Sequence, residues 1–188
     1  GPDAPQVDIQ YHSYELVTGA PADYPGNHAE YLAQHLGASA EQVRQMDQQI
    51  TGLAAAEGLD YHLNNIQVTN TGKAHELIHF AESQGKGPET KERLLRAYFT
   101  EGRHVGRVAD LADLAADIGL DRAAAEQALQ SGAFAQAVED DKTQAQAFGI
   151  RGVPFFVVDG KYGISGAQES DTFLQALRKV QAEQKAGA

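Results

Sequence analysis

Between Val7 and Leu16 the chain alternates, with Val7, Ile9 and Tyr11 on one side and Asp8, Gln10 and His12 on the other. That is the period-two pattern of a half-buried strand, and it predicts one. TGAPADYPGN follows as a loop, and from Asn27 the period lengthens to that of helices. NHAEYLAQHL runs up to Gly37, and the capping box Ser39-Ala40-Glu41-Gln42 opens a longer helix that ends at Gly58. LNNIQVTN reads as irregular or as a short strand, after which Asn70 or Thr71 caps a helix through AHELIHFA. Pro88 starts the next helix, with Leu94, Leu95, Tyr98 and Phe99 at helical spacing. Three more helices are predicted across RVADLADLAADIG, DRAAAEQALQSG and FAQAVEDDKTQAQAFG, each closed by a glycine.

After Gly149 the texture changes. Pro154 precedes a dense β-forming run, Phe155 to Val158; Asp159-Gly160 supplies a tight two-residue turn, and a second strand is predicted from Lys161 to Ser165. The chain closes on an amphipathic helix, ESDTFLQALRKVQAEQ, apolar at Phe173, Leu174, Leu177 and Val180. The order is strand, long helical block, hairpin, helix, with no internal repeat and no low-complexity tract.

Composition narrows the function classes. A formal charge of -11 makes nucleic acid an unsuited partner, because a polyanion meets repulsion over most of the surface. No apolar run approaches the length of a membrane span, and no basic-then-apolar leader opens the chain, so a soluble, cytoplasmic protein is expected. The first residues, Gly1-Pro2, read as a protease scar or an internal start. With no cysteine, disulfide scaffolding, Cys-based metal sites and thiol chemistry by this chain alone are excluded. No cofactor motif is present.

One motif invites a catalytic reading: His75-Glu76-Leu77-Ile78-His79 is H-E-x-x-H, in which two histidines one helical turn apart share a zinc ion and the glutamate activates water. The extended form fails, since its glycine would fall on Glu82 and its third histidine on Gly85. Ala74, Leu77, Ile78 and Ala81 form the apolar stripe of this helix, which leaves His75 and His79 on its flank and solvent side. A zinc peptidase is therefore not expected, and no metal site is assigned.

The hairpin carries more information. Gly152-Val153-Pro154 followed by an aromatic strand, a tight turn and a terminal helix resembles the end of the thioredoxin fold, where the proline is cis beside the active site. On these residues alone, a trans proline at the first position of an edge strand stays open. GVPFFVVDGKYGISGAQ, taken with YHSYEL, MDQQITGLAAAEGLDY, NTGKAHELIHFA and KERLLRAYFTEG, resembles the FrnE subfamily of DsbA-like oxidoreductases over nearly the whole chain. In that family the corresponding helix commonly reads N-T-x-x-A-H, so His75 is expected while Glu76 and His79 are incidental.

The resemblance implies an α/β, thioredoxin-like fold with an inserted all-helical block. Residues 1–25 would form a strand and loop, 26–148 the insertion plus a thioredoxin-fold helix, and 149–188 the C-terminal hairpin and helix. It also implies a first strand and a C-x-x-C motif opening a helix, and neither is in this sequence. The expectation is a truncated form lacking an inner strand, its gap filled by a neighbouring chain, a swapped element or rearrangement; homodimerisation by strand exchange would be one such route.

The implied activity is thiol–disulfide exchange, oxidoreductase or isomerase, on a thiol- or disulfide-bearing protein or peptide, with this chain alone redox-inactive. Val153, flanked by Gly152, would offer its backbone to an extended substrate segment, and Pro154 would hold that backbone and keep metal from the thiols. His75, preceded by Asn70 and Thr71, would line the cleft and tune the thiolate. Two other readings stay open: a glutathione-using isomerase or transferase of the 2-hydroxychromene-2-carboxylate isomerase or kappa-class type, and a non-catalytic peptide-binding module.

Overall fold

The computed structural model describes residues 5–186, which divide into two compact units: Val17–Asp140, and the described residues up to Leu16 together with those from Asp141 onward.

The Val17–Asp140 unit is helical, and its boundaries are set by local chemistry. α1 (His28–Leu36) begins at Asn27, whose side chain accepts from Glu30 N at 2.9 Å while Glu30 Oε2 accepts from Asn27 N at 3.3 Å. α2 (Ala40–Ala56) starts with the expected capping box: Ser39 Oγ accepts from Gln42 N and Gln42 Oε1 accepts from Ser39 N. Each box gives a partner to amide groups that a helix start otherwise leaves bare. LNNIQVTN forms no strand; Leu63–Asn65 makes a single 3-10 turn and the rest is irregular.

α3 (Gly72–Glu82), α4 (Gly87–Phe99), α5 (Val108–Asp117) and α6 (Arg122–Ser131) enclose the main core. Leu77, Leu111, Leu114 and Leu129 are buried at its centre, one set of leucines from three helices, each contributing roughly 1.5–3 kcal/mol by leaving water. A smaller cluster gathers Tyr31, Leu63, Ile66 and Val68. The loop after Val17 is tied down by polar contacts instead: Thr69 Oγ1 donates to Ala22 O at 2.6 Å, and Asn70 N donates to Pro21 O at 2.9 Å. Asp23 accepts from Arg107 Nε at 2.9 Å and pairs with His104, and the Arg107 guanidinium holds its carboxyl below the usual range, with His104 adding to the effect.

α7 (Ala135–Ala147) carries the chain from one unit into the other. In the second unit β1 (Phe155–Val158) and β2 (Tyr162–Ser165) pair antiparallel, Phe155 opposite Ser165 through Val158 opposite Tyr162. Asp159 and Gly160 hold the turn with φ of 53° and 66°, left-handed values that a tight hairpin requires. Lys161, expected to open the second strand, belongs to the connection: its N–H closes the turn on Val158 O at 3.1 Å, and pairing resumes only at Tyr162. α8 (Ser170–Ala186) packs on the hairpin through Phe173 against Phe156, ring centroids 4.8 Å apart and nearly perpendicular, and through Val180.

The strand expected over Val7–Leu16 does not form. Residues 5–15 take no regular structure, and the sheet among the described residues has two strands only. Alternation made these residues fit for a sheet, but a strand exists only when another strand completes its hydrogen bonds. Val7, Ile9 and Tyr11 stay exposed at 50%, 66% and 41%. What holds the segment is its polar end: the Asp141 carboxylate accepts from Ser13 N at 2.6 Å and meets His12 Nδ1 at 2.6 Å, and Lys142 Nζ bonds Glu15 at 2.9 Å.

Candidate functional site

In the hairpin unit, three of the last four carbonyls of α7 are engaged as it ends: Phe148 N donates to Gln144 O, Gly149 N to Gln146 O and Ile150 N to Ala145 O. The chain then turns through Arg151, Gly152 and Val153 to Pro154, and the Val153–Pro154 peptide bond is cis. Pro154 O accepts from Gly166 N at 2.9 Å, which anchors the loop to the end of β2 just before the ladder begins. Val153 is 48% exposed, and its N–H and C=O have no partner among the described residues. The loop borders an open depression of about 460 Å³ lined by Gly149, Arg151, Gly152, Val153, Phe155 and Ser165 among others. A free N–H and C=O on one exposed residue, next to a strand end, is what an extended peptide needs to add itself by backbone hydrogen bonds.

The other expected site residues lie in the helical unit. Asn70 is bound into the fold: its amide donates to Thr18 O and Ala20 O at 3.4 Å each, and its Oδ1 accepts from Gly72 N at 2.9 Å. Asn70, not Thr71, thus supplies the side chain at the start of α3; Thr71 sits at the cap position with no side-chain capping bond, and its carbonyl accepts from His75 N at 3.1 Å. His75 is half-buried on the first turn of α3.

The zinc pattern on α3 is engaged in other ways. Glu76, 7% exposed, pairs with Lys73 at 2.9 Å, and Lys73 Nζ also donates to Leu129 O at 2.7 Å, so the glutamate helps lock α3 to α6. His79 lies 3.4 Å from Glu82. Among the described residues no three His, Asp or Glu side chains come together as a metal would require.

Arg151 went unnoticed in the sequence. It lines the depression two residues before Val153, and the available signal was that no other basic residue occurs between Lys142 and Lys161.

Comparison with known proteins bears on this site. The model of the DSBA-like thioredoxin domain family matches residues 2–178. The probable DsbA oxidoreductase SCO1869 from Streptomyces coelicolor superposes with a TM-score of 0.83 at 32% identity, over 92% of this chain and 74% of that one. The cytosolic disulfide reductase DsbM from Pseudomonas aeruginosa shares the fold at a TM-score of 0.54 and 19% identity, over 86% of this chain and 78% of its own. The uncharacterised protein YwbO of Bacillus subtilis (strain 168) is 30% identical over 138 residues, 70% of this chain and 66% of that protein, so the chain spans just under two thirds of that relative's length.

Proposed function

This chain belongs to the DSBA-like thioredoxin domain family, and from that premise we propose that it is the substrate-holding part of a thiol–disulfide oxidoreductase or isomerase of the FrnE type. The observation that carries the reading is Val153: exposed, with both backbone groups unused, beside Pro154 and at the start of β1. An extended segment of a disulfide-bearing protein docks there by strand addition.

The exchange itself needs two thiols. A thiolate attacks one sulfur of the substrate disulfide, a mixed disulfide forms as the other substrate sulfur leaves as thiolate, and a second thiol displaces the first substrate sulfur. None of the 188 residues is cysteine, so in this reading both thiols come from outside them. In the same reading, one further strand from outside these residues would pair with the Val7–Leu16 stretch, which forms no strand among the described residues.

The coding sequence immediately upstream of Gly1 tests the proposal. A strand-forming run followed by Cys-x-x-Cys is the expected finding, and this chain alone then shows no turnover in insulin reduction. If no such segment is encoded, the redox reading fails. The second reading, a thiol-free peptide-binding module, is favoured by the absence of cysteine and would then take its place.

A further inference from the structure

Of the eight arginines, six have a carboxylate partner: Arg44, Arg93, Arg96, Arg103, Arg107 and Arg122. The exceptions among the described residues are Arg151 and Arg178, and of these only Arg151 borders the depression at Val153. In a chain with 26 acidic residues against 15 basic ones, an arginine with no carboxylate beside it stands out. The local charge has the same bias: residues 148–168 carry Arg151 and Lys161 against Asp159, a formal balance of +1, while the whole chain carries -11.

Arg151 also has no evident structural task. It is exposed, and three of the last four carbonyls of α7, which a basic side chain can cap, already accept from the amides of Phe148, Gly149 and Ile150, while no hydrogen bond joins Arg151 to the fourth. A guanidinium fork is suited to a carboxylate, which it can grip by two parallel hydrogen bonds.

We propose that Arg151 is the specificity residue of the Val153 site and selects an acidic substrate segment, its guanidinium taking a Glu or Asp carboxylate while Val153 holds the backbone of the same segment. This rests on the proposed substrate role of Val153. It also assigns the site an electrostatic filter: the surface at large repels acidic chains, so an acidic segment is accepted at this loop and discouraged elsewhere.

The test uses the whole chain and two short amidated peptides, each with a central mixed disulfide between cysteine and methanethiol, one flanked by glutamates and the other by glutamines. Binding is read from the backbone amide resonances of Gly152 and Val153. The expected result is that the glutamate peptide shifts both amides, that Arg151→Gln weakens it roughly fivefold, that Arg151→Lys keeps part of the affinity, and that the glutamine peptide binds both proteins alike. If the glutamate peptide shifts the two amides equally in the native chain and Arg151→Gln, the loop binds peptide but Arg151 selects nothing, and only this proposal falls. If neither peptide moves Gly152 or Val153, the substrate role of the loop falls with it.

Discussion

Asp117 accepts from Arg93 Nη2 and from Arg103 Nη1, both at 2.9 Å, so one carboxylate at the end of α5 joins α4 to the stretch that follows it. Arg93 does most to hold its acid below the usual carboxylate range; burial opposes it more weakly, and Arg103 adds to the lowering. The sign of the pH effect follows. A carboxyl whose folded pKa lies below its unfolded one stabilises the fold above the ordinary carboxylate pKa, and that contribution is lost as pH falls through the folded value. Urea midpoints measured from neutral pH down to about pH 3 should therefore fall more steeply for the native chain than for Asp117→Asn; parallel slopes would remove Asp117 from the account. Asp141 is a different kind of carboxylate, 9% exposed and fully occupied, and Glu76 is similar. Glu76, the carboxylate that the H-E-x-x-H pattern singles out in the sequence, is thus one the fold has used.

At the scale of elements, Gly106 and Gly52 make opposite predictions. A Cβ on Gly106 would collide with Thr69 Oγ1 and sit 2.7 Å from Asn70 O, backbone that is pinned to the loop after Val17. Gly106→Ala should destabilise by about 1–3 kcal/mol. A Cβ on Gly52, inside α2, meets nothing within 4 Å. Gly52→Ala should stabilise by about 0.5–1 kcal/mol, and chemical denaturation of the two variants checks both signs. The helix starts were legible because their causes are local: Ser39 and Gln42 are three residues apart and satisfy each other. The Asp159-Gly160 turn was legible for the same reason. Non-local features were not. Whether Val7–Leu16 becomes a strand depends on a partner its own pattern cannot supply. The role of Asn70 depends on Thr18 and Ala20, some 50 residues earlier in the chain. Gly152, Val153 and Pro154 could be named from their motif, whereas the sequence shows of Arg151 only its isolation between Lys142 and Lys161, and its lack of a carboxylate partner among the described residues takes the fold to reveal.

For the molecule as a whole, charge and exposed apolar surface pull in opposite directions. A charge of -11 keeps copies of the chain apart, and salt removes that protection. From Pro5 to Tyr14 the only formally charged side chain is Asp8, with histidine neutral, and that stretch contains the exposed Val7, Ile9 and Tyr11 and joins no strand ladder among the described residues. Set antiparallel about Ile9, two copies would place Val7 opposite Tyr11 and Asp8 opposite Gln10, so no like charges would face each other. Such a ribbon can add further copies at its edges, which makes residues 7–11 a seed for fibril growth. Asp8 is then the gatekeeper of the whole chain: thioflavin fluorescence should rise sooner in high salt and sooner still for Asp8→Asn, and Ile9→Lys should suppress it, although neither substitution touches a packed core.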